Sequence, residues 1–345
     1  MKHMKKKRKK KMIPRKMDAD MLVFIEEDIL RMKERGMFSS AENLRTAFNH
    51  FKIFVKSGFF PLSKLNTVVV KDFERYLKAE RLMASTISLY MRVLHASYNR
   101  AVEAQLVTNS EPFAEVRRGN VCYSQYALTQ AEMNRLLEAE VSQGGWEELA
   151  RDVMDLSYEF CGMPPVDIIF LKWSQIDFDA GMLCYSRHKT RTKGTVAISK
   201  KAKNILLKYR KKDHEKEDLG YVFSFIKSAD GEEAYAQYKS ALRQINRNLN
   251  QLGKRFGLRY HLSTYVIRRT WATVARNVYG AQPHIISLAL CHTSERTTSI
   301  YISRIDDGKL FDLQKKMWKE PKKTPPIKNR GTAEGCEVVK DCYLL

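Results

Sequence analysis

The sequence predicts a mostly α-helical protein of two domains, a helical bundle followed by an α+β domain with a small β-sheet and a hairpin. Three observations predict it. A length of 345 residues exceeds what one ordinary core needs, and 44% hydrophobic residues supply material for two. Apolar residues recur at a period of about 3.6 through the first third of the chain. Strand-like alternation appears over residues 182–187 and 195–199.

The elements follow in order. Residues 1–16 carry ten Lys/Arg and no acid, so they repel one another, bury little and read as a basic disordered arm. Residues 17–115 form the bundle. Met21, Leu22, Phe24, Ile25, Ile29, Leu30 and Met32 mark its first helix. Ser39 and Ser40 stand where an N-cap belongs, ahead of Leu44, Phe48, Phe51, Phe54 and Val55, and Gly58 closes that second helix. Helices over 69–82 and 85–106 complete four. Residues 116–125 lack periodicity and read as a linker.

The second domain spans residues 126–318 and opens on a capping box, Thr129-x-x-Glu132. A helix over 146–161 is broken by Gly162-Met163-Pro164-Pro165, and an apolar face restarts over 166–173. Residues 182–187 and 195–199 read as strands joined by a turn over 189–194. Residues 221–226 read as a short strand or an apolar element. Helices follow over 234–256, 262–277 and 306–318, and residues 288–302 contain a helix end, a turn and a new helix. Residues 319–345 read as a tail.

The net charge of +22 is extreme, and +12 of it lies outside the arm. That argues for a polyanionic partner, nucleic acid ahead of an anionic membrane. No apolar run is long enough to span a bilayer and the N-terminus lacks a signal-peptide core, so the expectation is a cytoplasmic, nucleoid-associated protein without a membrane partner. The six cysteines form no CxxC pair and no metal spacing, and read as reduced thiols. Cys342-Tyr343-Leu344-Leu345 formally matches a prenylation box, a match four residues reach by chance. The bundle's polar faces carry Arg45, Lys52, Arg92 and Arg100 among others. Singly these are solvated residues; together they suit the wall of a DNA channel.

Candidate chemistry centres on Tyr301, nine residues after His292. A tyrosine has a pKa of about 10 and attacks only an activated target. The chain supplies cations that could activate a phosphate. The hairpin tip HKTRTKG carries Lys189, Arg191 and Lys193, and Tyr265-x-x-Arg268-Arg269 lies on a helix. Each residue alone has a bland reading: a buried helix tyrosine, a salt-bridged arginine, a satisfied core histidine.

In this order and spacing, Lys189, Tyr265-x-x-Arg268-Arg269, Leu290-Cys291-His292 and Thr297-Thr298-x-x-Tyr301 resemble the tyrosine recombinase (phage integrase) family. The resemblance implies a SAM-like core-binding domain and a catalytic domain of the tyrosine recombinase/type IB topoisomerase type. It implies site-specific recombination, by integration, excision or inversion, through a 3′-phosphotyrosyl intermediate that needs no metal and no nucleotide. Tyr301 would be the nucleophile and Arg268 a phosphate clamp. Lys189 would be the general acid, His292 a donor to the transition state and Tyr265 the counterpart of a family histidine. Asp167 and Arg269 would support the site, while Arg45, Lys52, Arg92, Arg191 and Lys193 would touch DNA. The partners implied are double-stranded DNA, further copies in a tetramer on two DNA sites, with the tail docking on a neighbour, and accessory DNA-bending proteins.

The pattern departs from the family at its first arginine. Pro164 stands at the usual position and Cys161 at a second one seen in some relatives. Arg151 is the candidate replacement, with Lys172 behind it. Arg269 also replaces a common histidine, and Cys291 a common glycine. The missing arginine keeps a second function open, a DNA-binding protein on the same fold with impaired chemistry. A general polyanion-binding helical protein is a third, and it leaves the tyrosine spacing unused.

Overall fold

The computed structural model describes residues 18–116, 119, 126–210 and 220–301. The arm, most of the expected linker, the helix expected over 306–318 and the tail lie outside the described residues.

In the bundle, α1 (Met21–Glu34) is capped by Asp20, whose carboxylate accepts from the Leu22 and Phe60 N–H groups at 3.0 Å each. One side chain thus starts the helix and ties down the loop behind α2 (Phe38–Val55). That second helix starts before the expected cap. Gly36, at φ 71°, and Met37 close α1 by donating to the Lys33 and Met32 carbonyls, which turns the chain straight into α2 with Ser39 and Ser40 in its first turn. It ends at Lys56, in the left-handed region, ahead of Gly58. α3 (Thr67–Ala79) is capped by Asn66, and α4 (Ala84–Glu103) follows. Phe48, Phe51, Phe73, Leu94 and Tyr98 fill the interior. Arg100 is among the polar-face cations that the sequence suggested for a DNA channel. It donates from Nε and Nη2 to the buried Asp28, which also accepts from Ser97 at 2.7 Å. A carboxylate this buried needs such partners.

The second core runs from Leu128 to Cys291. It contains α5 (Gln130–Leu137), opened by the expected capping box, α6 (Trp146–Glu159) and the short α7 (Pro165–Ile169). β1 (Ile176–Asp177), β2 (Met182–Ser186) and β3 (Lys193–Ala197) form an antiparallel sheet in the order β1-β2-β3. Then come α8 (Lys200–Lys208), α9 (Gly231–Arg255), α10 (Thr264–Asn277), α11 (Pro283–Ala289) and α12 (Glu295–Tyr301). Residues 221–226 form no strand. Tyr221 makes a single bridge to Lys172, and Val222, Phe223 and Ile226 are buried. α8 was not anticipated, and of α11 only the end was. The α2 and α9 sides of the two cores meet where Tyr235 and Lys239 both donate to Glu42, at 2.7 and 3.0 Å. Among the described residues no helix is long and apolar enough to cross a membrane.

The hairpin is tighter than its sequence suggested. Arg187 and Thr192 close it through an N–H···O bond of 2.8 Å, with Arg191 at φ 59°. β3 therefore starts at Lys193 and contains Gly194, opposite Tyr185. Gly194 is a packing glycine rather than a turn glycine. A Cβ there would lie 2.5 Å from Cys291 Sγ and 2.8 Å from Tyr185 Cε1. The cysteine that replaces a family glycine is thus accommodated by a glycine facing it. Gly194→Ala is expected to destabilise the protein by about 1–3 kcal/mol through overpacking. Adding Cys291→Gly should recover part of that in a thermal-melt double-mutant cycle. Simple additivity of the two changes would contradict the contact.

Candidate active site

The site is built on the C-terminal end of α11. His292 donates its N–H to the Ser287 carbonyl and Cys291 its N–H to Leu288, both at 2.9 Å, with Cys291 at φ 51°. This is a Schellman ending, in which the last carbonyls stay without helical partners at the negative end of the helix dipole. Two guanidinium groups occupy that end. Arg268 of α10 donates from Nη2 to the Leu290 carbonyl at 2.7 Å, and Arg187, just past β2, donates from Nη1 to the same oxygen at 2.9 Å. Arg187 also reaches the Cys291 carbonyl at 3.3 Å. Arg268 donates from Nη1 to the Gly162 carbonyl at 2.5 Å and is 1% exposed. Gly162 sits at φ 68°, and a Cβ there would press on Arg268 at 3.2 Å. The loop that lacks its own arginine therefore presents a bare backbone to this one.

Asp167 of α7 supports both the hairpin and Arg187. It accepts the His188 N–H at 2.7 Å and lies 3.0 Å from Arg187 Nε, close enough for an ion pair but without hydrogen-bond alignment. Burial pushes its carboxyl up, while His188, Arg187 and Arg268 pull it back.

His292 joins the two halves of the site. Its Nε2 is 3.0 Å from Arg268 Nη2, and its Nδ1 is 2.9 Å from Thr298 Oγ1 on α12. A guanidinium only donates, so Nε2 accepts and the ring proton sits on Nδ1. Burial, helped by Arg268 and Arg187, pushes the imidazole down to about 4 and keeps it neutral. Thr298 is fully buried and lies three residues before Tyr301 on the same helix.

Comparisons with known proteins give the family and the fold. Residues 20–117 match the phage integrase SAM-like domain, and residues 127–306 match the phage integrase family. The chain belongs to the phage integrase family. It is a tyrosine recombinase, and its function is site-specific DNA recombination. No curated protein matches the sequence. Solved structures share the fold. The Tn1549 transposon integrase in complex with a circular intermediate DNA is 14% identical with a TM-score of 0.63, over 86% of this chain and 100% of that one. A lambda integrase dimer bound to a core site is 17% identical with a TM-score of 0.58, over 90% and 100%. A lambda integrase tetramer bound to a Holliday junction is 17% identical with a TM-score of 0.57, over 83% and 78%.

In this integrase several sequence-predicted residues stand elsewhere. Arg151, the candidate replacement arginine, is engaged within the fold. Its Nε donates to Asp155 at 3.1 Å, its Nη1 to the Ala139 carbonyl at 2.6 Å and its Nη2 to the Leu137 carbonyl, so it holds the end of α5. Lys172 lies over the Tyr221 ring. Arg269 donates to the Tyr126 carbonyl at 2.9 Å and ties α10 to the start of the domain. Lys189, Arg191 and Lys193 are exposed on the hairpin, and Tyr265 is half exposed in the first turn of α10. Arg45 and Lys52 share Glu26 and flank the Phe48 ring, and Arg92 is exposed on α4. Among the described residues no group of three His, Cys, Asp or Glu side chains could hold a metal.

Two site residues escaped sequence reasoning. Thr298 was seen without a role. Arg187 had a readable signal: it follows Leu183 and Tyr185 at a spacing of two, so it shares their buried face of the hairpin.

The His292 geometry carries a pH expectation. Its folded value lies below the ordinary 6.5, so the unfolded chain takes up the proton first. Its contribution to stability is full above about 6.5 and declines as pH falls towards about 4. NMR titration of His292 should show a midpoint near 4, and a midpoint near 6.5 would contradict the Arg268 contact.

Proposed function

We propose that this integrase cuts and rejoins DNA through a covalent bond between Tyr301 and a 3′-phosphate. The phenolic oxygen attacks phosphorus and loses its proton to solvent. The bond to the 5′-oxygen breaks, and Lys189 protonates that leaving oxygen. A 5′-hydroxyl from a partner duplex then reverses the step. The phosphotyrosyl link conserves the bond energy, so the step calls for neither metal nor nucleotide. Arg268 holds a non-bridging oxygen with its planar fork, and Tyr265 faces the same duplex. With DNA bound, Arg268 turns from His292 to the phosphate, and His292 becomes a donor by changing tautomer, its proton moving from Nδ1 to Nε2 through solvent while the Thr298 hydroxyl donates to Nδ1. Lys193, Arg191, Arg45, Lys52 and Arg92 contact the backbone. The working unit is a tetramer on two DNA sites, in keeping with the lambda integrase tetramer solved on a Holliday junction; DNA-bending proteins assist it.

The observation that carries this reading is the contact from Arg268 through His292 to Thr298. It links α10 to α12, the helix that holds Tyr301, across residues far apart in sequence. The impaired-chemistry alternative is not favoured, because the residues expected to react are present and a second arginine lies beside Arg268.

Nicked duplexes from the DNA flanking the gene test the reading. The wild type should give a denaturation-resistant adduct and Tyr301→Phe none, with unchanged DNA binding. An adduct in the Phe variant would remove Tyr301 as nucleophile. Lys189→Ala should regain cleavage when the leaving oxygen is replaced by sulfur, which departs without a proton. No recovery would count against the general-acid role.

A further inference from the structure

We infer that Arg187 supplies the second guanidinium of the phosphate clamp, in place of the arginine missing at Pro164 and Cys161. This rests on the phosphotyrosyl reading above. The central observation is the convergence on Leu290 O, with Arg187 at 2.9 Å and Arg268 at 2.7 Å. Donors that meet on one oxygen are close enough to meet on one phosphate.

The charge balance of the pocket points the same way. Arg187 and Arg268 are both buried, and the carboxylate beside them is Asp167. His188 and His292 also face this cluster, and His292 is held neutral. Two buried guanidinium groups beside one another make this a place where a full anion is stabilised. Among the described residues the partial negative charge of the α11 end meets both guanidinium groups. A phosphodiester is a full anion with two non-bridging oxygens and would displace those carbonyls.

Arg187 is also placed to respond. Its Nη2 makes no hydrogen bond among the described residues, and a tenth of the side chain remains exposed. It lies two residues before Lys189, so one tight turn carries both the clamp and the proposed acid. Arg151 lacks these features, since each of its three guanidinium nitrogens is bonded within the fold.

The test compares adduct formation by full-length wild type and Arg187→Ala on two duplexes. One carries an ordinary scissile phosphate and the other a neutral methylphosphonate at the same position. On phosphate the variant should be slower by about 10²–10³-fold, the usual effect of losing one transition-state donor. On methylphosphonate there is no anionic charge to clamp, and variant and wild type should form adduct at the same rate. Rescue of this kind is not expected of a residue that only holds the fold. Wild-type rates for the variant on phosphate would overturn the inference, as would equal slowing on both substrates. If Arg187→Ala does not fold, Arg187→Lys keeps a charge for Asp167 but loses the fork, and the same comparison decides. Absence of any adduct with the wild type would instead defeat the phosphotyrosyl reading itself.

Discussion

The structure around the candidate site depends on one acceptor without a helical partner, the Leu290 carbonyl at the end of α11. A helix must leave its last carbonyls without internal partners. Here the Schellman turn at Cys291 and His292 exposes that end to the interior rather than to solvent. Buried acceptors need donors, and Arg268 and Arg187 provide them from two different elements. A long-range assembly of helix, hairpin and loop therefore follows from local helix-end chemistry. The same contacts bring together the groups proposed to hold the phosphate.

Packing around that end is correspondingly tight. Cys291 takes up the left-handed conformation that usually favours glycine, and its side chain fills the space left by Gly194 on β3. Tyr185 closes the same contact, with its hydroxyl 3.6 Å from Cys291 Sγ. Asp167 fixes the far side by accepting from His188 at the hairpin turn. The hairpin is therefore held at its base while its tip, with Lys189, remains exposed. A base held in this way and an exposed tip suit the role proposed for Lys189.

Much of this was legible from residues alone. Helix positions in the bundle follow the apolar period, and the capping box at Thr129 is formed; Arg268 and His292, grouped in the sequence only by the family resemblance, lie 3.0 Å apart. What the sequence concealed has physical reasons. α8 and α11 are short, and short helices owe their existence to packing more than to their own pattern. The start of α2 was set by the end of α1, not by the serines inside it. Arg151 looked available because a helix face says nothing of what lies opposite. Its partners, the carbonyls of residues 137 and 139, arrive from another element. Arg187 was overlooked for the converse reason. It ends a strand that was read for its turn, although its place on the Leu183–Tyr185 face marked it as an arginine facing inward.

The central claim is that a site assembled around Arg268, His292 and Arg187 directs one tyrosine to DNA. Its most direct test is to map the covalent bond. The wild-type adduct would be digested with trypsin and nuclease, and the nucleotide-bearing peptide identified by mass spectrometry. The account predicts a nucleotide on the peptide of residues 297–304, whose only tyrosine is Tyr301. A nucleotide on any other peptide would contradict it.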